Sequence, residues 1–481
     1  MGGLRVGAAA VNINPPIGYS KGGYRLFAGP ITSIDEDIEL GVLVLSSKGE
    51  TVAIVASDIG NCSATEATEL RELVAVELKV KRGNVMFNLS HNHSAPCLGL
   101  VGNYGRDVES PEAKMVSDYY SNFKQKLLSC TKEAVKSMRD ARMAHAWGHA
   151  DLNIYRREWN EGQDVLGEVP GHPVDDSVGV IRFDDLKGQA IATLFRFSCH
   201  PVVNGAQSPT LSADFPGPAK RLVKEKVGGL AFFLQGCGGN INPKVGIGYE
   251  KDCSESVYKM GTALGAEVVR VALSLETHRY QRDRVLFNNV PNILFKPWQA
   301  VEGHAEVVLK GAEEIVPFRF SPLPDRNVLE AELAKWEKEL ADRIARKALN
   351  WEIRVARTIL TWTQITLDRL SEPNPTCDFM AQALRIGDVA LVGLGVEAFF
   401  ETGDQIKANS PWPDTFVLGY TNGTIMYLPR KEDFPKGGWK WPNTHAFPDL
   451  LPQVYCLPAL WHPDSEQEAV GAALKALQNV K

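Results

Sequence analysis

Apolar and polar residues alternate just ahead of a pair of histidines. Val85, Phe87 and Leu89 alternate with Met86, Asn88 and Ser90, a period of two with Met86 as the one imperfect position, and this predicts a strand. The same parity carried forward sets His91 and His93 side by side beyond the strand end, and Pro96 then stops the ladder. Further strands are predicted over residues 4–14, 38–46, 51–57, 178–183, 190–199, 230–235, 379–385, 389–395 and 416–419. Helical spacing of Leu70, Leu73, Val74, Val76 and Leu78 predicts a helix over 64–79 with Ser63 as its cap. Pro111 opens a second helix that runs to about Met138. Others follow Pro216 and span 254–275, with Ser254 as a candidate cap, and 465–477. Residues 328–360 are helical and dense in Glu, Lys and Arg, the pattern of a solvated face. Strands and helices interleave without repeats, so the expected class is a mixed α/β body with β-sheets flanked by helices and a helical excursion at about 325–362.

Composition narrows the functions. A formal net charge of −6 argues against nucleic acid and anionic membrane as general partners. No run of 18 apolar residues occurs, so no membrane insertion is expected. The eight cysteines form no CxxC and read as reduced thiols of a cytoplasmic protein. A small-molecule substrate is the expected partner, and the composition leaves room for a homo-oligomer.

Four groups sit just past apolar strands: His91 with His93, His200, Glu397 and Tyr427. Each alone reads equally as a hydrogen-bonded boundary residue. A His-x-His pair at a strand end suits a metal, through two ligands or through one ligand and a supporting neighbour. Asp58 also ends a strand, a usual place for a site carboxylate in α/β folds. The loop Gly236-Cys237-Gly238-Gly239 carries neither Gly-Lys-Ser/Thr nor GxGxxG, which argues against a phosphate loop. Its glycines would allow close backbone approach to a ligand, with Gln235, Asn240 and Asn242 as hydrogen-bonding partners. Cys237 is open to two readings, a nucleophile beside His200 and a buried inert thiol. No Gly-x-Ser-x-Gly occurs, which argues against a nucleophile-elbow hydrolase.

The motifs together resemble the neutral/alkaline non-lysosomal ceramidase family, in its catalytic N-terminal domain. The resemblance runs through Ile13-Asn14-Pro15-Pro16-Ile17-Gly18, Ser90-His91-Asn92-His93-Ser94-Ala95-Pro96, Cys199-His200-Pro201, Ser212-Ala213-Asp214-Phe215, Gly395-Val396-Glu397 and the stretch from Tyr427 to Phe434. It implies one zinc per chain, held by His91, His200, Glu397 and Tyr427, with His93 beside the metal and Arg156 facing the substrate. The segment Gly239-Asn240-Ile241-Asn242-Pro243 departs from the family's Gly-Asp-Val-Ser-Pro. Asn242 stands where that family has a serine proposed as nucleophile, and an amide cannot form an acyl-enzyme.

The resulting expectation is a single ceramidase-like catalytic domain over 1–481, without the C-terminal β-sandwich domain or a secretion signal. Its function would be a cytoplasmic, zinc-dependent hydrolase of amidase type. It would cleave an amide, or alternatively an ester or lactone, of a small polar substrate by metal-activated water. His93 or Asp58 would move the proton, and Arg156, Asn240, Asn242 or Tyr427 would hold the oxyanion. Gln235, Gly236, Cys237, Arg157 and Trp439 are the candidate substrate contacts. The rival readings are a metal-dependent lyase or isomerase acting on a polyol or sugar-like substrate, and a non-catalytic binding protein.

Overall fold

The computed structural model describes residues 2–23, 29–99, 109–160, 163–436 and 451–481. Eight strands form one mixed sheet: β1 (Arg5–Asn12), β2 (Glu39–Ser47), β3 (Glu50–Ser57), β4 (Val85–Leu89), β5 (Arg139–His149), β6 (Ser177–Asp185), β7 (Ala190–Phe197) and β8 (Leu230–Gln235). Their order across the sheet is β8-β7-β6-β5-β1-β2-β3-β4. The two outer pairs, β3 with β4 and β7 with β8, are parallel, and the inner pairs are antiparallel. A second sheet takes β9 (Leu309–Arg319), β10 (Thr376–Ile386), β11 (Val389–Leu394) and β12 (Asp414–Leu418) in that order, with β11 and β12 parallel.

The large sheet curls until its two ends approach. The Asn88 amide of β4 accepts from the Gln235 backbone N–H of β8 at 2.8 Å and donates to the Gly419 carbonyl beyond β12 at 2.9 Å. Gly41 in β2 makes the curl sterically feasible, because a Cβ there would stand 2.1 Å from the Phe232 ring of β8. Gly41→Val therefore forces a side chain into a filled slot. It should destabilise the fold by about 1–3 kcal/mol, read as a lower urea midpoint.

The sheets stack face to face. Val6, Leu43, Ile54, Ile181 and Leu194 of the large sheet share a core with Leu384, Leu391, Phe416 and Leu418 of the second. Phe416 enters the slot left by Gly179 and stacks on Trp147, with ring centroids 4.3 Å apart. Helices cover the outer faces. α1 (Ala64–Leu78) and α2 (Pro111–Lys136) pack on the β1–β4 half through Leu70, Val74, Phe123 and Leu127. α3 (Pro216–Val227) and α4 (Ser254–Ser274) cover the β6–β8 half. α7 (Phe400–Asn409) and α8 (Ser465–Asn479) cover the second sheet, and α5 (Arg326–Ala345) and α6 (Asn350–Arg369) form a helical hairpin. The fold is the expected mixed α/β body.

Local chemistry explains both the agreements and the misses. Ser63 caps α1 in a reciprocal capping box with Glu66. Cys253, not Ser254, occupies the cap position of α4, and Ser254 is its first helical residue. The helical excursion extends to Arg369 and is only partly solvated. α6 buries Ala356, Ile359 and Trp362, whose indole N–H donates to the Leu457 carbonyl at 2.7 Å. The charge density of 328–360 hid that apolar stripe.

Candidate metal centre

The C-terminal ends of the three parallel strand pairs meet at one place, the usual position for a site in α/β sheets. From β4 the chain leaves through Ser90, whose N–H donates to the Ser57 carbonyl at 2.9 Å. His91 then turns with a φ of +58°, a left-handed conformation. The parity of β4 is broken at that turn, so alternation does not bring His91 and His93 together. A turn does, held by Asn92, whose Oδ1 accepts from the Ser94 N–H at 2.9 Å and whose Nδ2 donates to the Ser212 carbonyl at 2.6 Å. His200 follows β7, with its N–H on the Ile241 carbonyl at 3.2 Å. Glu397 and Tyr427 face each other in a two-residue parallel bridge beyond β11 and β12.

The ring nitrogens of His91, His93 and His200 lie within 4.8 Å of one another. The Nδ1 of His91 lies 2.9 Å from the Gly60 carbonyl, and that of His200 lies 2.6 Å from the Gly238 carbonyl. A carbonyl only accepts, so each neutral ring carries its proton on Nδ1 and turns the Nε2 lone pair inward. Those two Nε2 atoms stand 3.3 and 3.2 Å from the same Glu397 oxygen, Oε2. The Nε2 of His93 is 3.3 Å from that of His91. The Tyr427 hydroxyl is 3.3 Å from the His200 Nε2 and accepts from Arg156 Nη2 at 2.8 Å. Converging lone pairs and a carboxylate, all acceptors, form a donor set that fits a divalent cation of the zinc type.

The electrostatics agree with that fit. Burial, reinforced by the Arg156 guanidinium, pushes His200 down to about 3, so the ring stays a neutral ligand at ordinary pH. Burial holds His93 well below the usual imidazole range and raises the Tyr427 hydroxyl despite Arg156.

Solved structures share this architecture. The crystal structure of neutral ceramidase from Pseudomonas aeruginosa matches 100% of this chain and 75% of its own, with a TM-score of 0.65 and 16% identity. A ceramidase complexed with C2 matches 99% and 75%, with a TM-score of 0.66 and 13% identity. The fold is ceramidase-like. No family model and no curated protein sequence matches the chain.

On this ceramidase-like fold the sequence candidates divide. His91, His93, His200, Glu397, Tyr427 and Arg156 come together. Asn242 joins them through its Oδ1, which accepts from Arg156 Nη1 at 3.1 Å. Asn240 is engaged elsewhere: its side chain accepts from the Phe400 N–H at 3.0 Å and donates to Glu401 at 2.7 Å, at the start of α7. Asp58 is buried in an ion pair with Lys220 and accepts from the Glu39 N–H at 2.8 Å, so it is committed to holding α3 on the sheet. Cys237 packs in the core of the second sheet, and burial pushes its thiol up to about 12, the mark of an inert thiol. Gln235 donates to the Cys199 carbonyl at 2.6 Å. The glycine loop is packed tightly, with the Gly238 and Gly239 carbonyls against His200 and Arg156. A Cβ on Gly236 would strike Ser198 and Arg196, and one on Gly239 would strike the Glu397 and Ala398 carbonyls. Arg157 is half-buried at the start of the hairpin strand Arg157–Asn160, and Trp439 lies outside the described residues.

Among the described residues, two tyrosines join the site without a sequence signal. The Tyr455 hydroxyl donates to Glu397 Oε1. Tyr420 stacks on His91 with centroids 4.4 Å apart. Neither belongs to a motif with a readable spacing.

Proposed function

We propose that the chain is a zinc-dependent hydrolase that cleaves an amide bond of a small polar substrate. The observation that carries this reading is the pair of carbonyl-anchored histidines aiming their Nε2 lone pairs at one Glu397 oxygen, an arrangement of acceptors that calls for a cation. His91, His200, Glu397 and Tyr427 would hold the ion, with His93 beside it. A zinc ion there supplies a Lewis acid and lowers the pKa of water from about 15.7 toward about 7. The ceramidase-like fold favours an amide over an ester or lactone.

The chain's own residues divide the remaining work. His93, half-buried beside the ligand set, would accept a proton from the attacking water and return it to the leaving amine. Arg156, which fixes Tyr427 in the ligand set, would itself face a developing oxyanion. Arg156 also fixes Asn242 by its amide oxygen, leaving the amide N–H groups as donors toward a polar substrate. Asn242 in the place of a nucleophilic serine is consistent with direct attack by water and no acyl-enzyme.

Purified protein should contain about one zinc per chain by elemental analysis, and His91→Ala/His200→Ala should contain none. Hydrolysis in 18O-labelled water should place one label in the product carboxylate. Turnover without label would turn the reading to a lyase or isomerase. A folded protein without metal would leave a binding protein.

A further inference from the structure

The segment from Arg279 to Ala300 leaves the body as a long β-arm. Arg279–Gln281 pairs with Trp298–Ala300, and Val285–Phe287 pairs with Ile293–Phe295. Every residue of the segment is exposed except the half-buried Pro297. The outer ladder pairs Val285 with Phe295, Leu286 with Leu294 and Phe287 with Ile293, and each is 43 to 56% exposed. Alternate positions point to opposite faces, so both faces of the ladder are apolar and neither is suited to water. A two-stranded hairpin with no face buried is marginally stable at best, and its uncovered hydrophobic edges invite pairing.

We propose that this arm docks on the body of a second copy of the chain, in a reciprocal exchange that makes a two-fold dimer. Area and charge carry the choice of occupant. The six ladder residues, with Tyr280, Val290 and Trp298, are each at least two-fifths exposed. At roughly 80–100 Å² each they present on the order of 800 Å², the share one partner contributes to a stable interface. The arm carries Arg279, Arg282, Arg284 and Lys296 against Asp283 alone. It is therefore +3 within a chain of net −6, which leaves the remainder at −9. A basic arm against an acidic body is complementary, whereas arm against arm sets like charges together. The tip, Asn288-Asn289-Val290-Pro291-Asn292, is polar on either side of Val290 and Pro291. An apolar band bounded by cations at its base and amides at its tip suits a clasp whose tip re-emerges into water. Insertion into a bilayer would bury those three amides tip first at high cost.

Sedimentation velocity of the full chain over a concentration series tests this. The wild type should sediment as a dimer. Leu286→Asp/Leu294→Asp, at exposed positions, should raise the dissociation constant about 100-fold or more with an unchanged circular dichroism spectrum. Val290→Cys carrying a photocrosslinker, which leaves the ladder untouched, should crosslink to body residues of a second copy. A wild type that is monomeric at all concentrations overturns the proposal, as does a double variant that stays dimeric or a crosslink confined to the arm. Flotation of the wild type with anionic vesicles, lost in the double variant while both remain monomeric, overturns it in favour of a membrane surface.

Discussion

Glu397→Gln will bind zinc at least about 10²-fold more weakly, since even supporting groups around a metal are worth 10- to 100-fold, while its metal-free form will be as stable as the metal-free wild type or more so. With both imidazoles as neutral Nδ1–H rings the carboxylate meets two lone pairs at 3.3 and 3.2 Å, and none of the three groups donates to another, while Arg156 Nη2 stands 3.3 Å from the His200 Nε2. An amide in the same place keeps an oxygen for the Tyr455 hydroxyl and turns two N–H donors toward His91 and His200. The variant thereby satisfies the buried site without a cation. Binding to the native state alone stabilises by about 2.7 kcal/mol at 100 times the dissociation constant. The wild-type melting temperature should therefore rise with added zinc and fall with chelator, while that of the variant should respond to neither. Calorimetric titration gives the affinity directly. Wild-type affinity in the variant would remove Glu397 from the ligand set.

Arg196→Met should destabilise the fold by about 3–5 kcal/mol at neutral pH, the range for breaking a fully buried ion pair from one side. Arg196 is wholly buried in β7. Its guanidinium pairs with Asp175, donates to Ser198 at 2.6 Å and to Ser177 at 3.0 Å, and reaches the Val417 carbonyl of β12 at 3.1 Å. Lys407 of α7 meets the same Asp175 oxygen at 2.9 Å. One ion cluster thus ties the large sheet, the second sheet and α7 together. Burial pulls the Asp175 carboxyl upward, but Arg196 and Lys407 outweigh it and hold it far below the usual range. A depressed folded pKa contributes stability that is present above the unfolded value of about 3.9 and lost as pH falls. The gap between wild type and variant should therefore be widest near neutrality and narrow below about pH 4. Urea midpoints at both pH values check this. Adding Asp175→Asn should recover part of the loss, because it removes the carboxylate left without its main partner.

Asn88 shows how far local pattern reaches. Its place on the strand over 84–90 was legible from alternation, and β4 spans Val85–Leu89. Its role was not legible, because its hydrogen bonds to Gln235, Gly419 and Thr421 span 147, 331 and 333 residues of sequence. Asp58 shows the converse. A carboxylate at a strand end looks like chemistry until Lys220 of α3 is found against it. Sequence separation conceals both facts, since neither partner carries a signal of the other.

Strand and helix positions, the mixed α/β class and the residue types suited to a metal were determined by the sequence itself, because periodicity, capping and donor chemistry are local. Convergence was decided only in three dimensions. His91 reaches the site through a left-handed turn that breaks the strand parity. The Gly60 and Gly238 carbonyls set the two tautomers, and Tyr455 arrives at Glu397 from 58 residues further along the chain. These are relations between the ends of separate strands, and the curl and stacking of the two sheets set them.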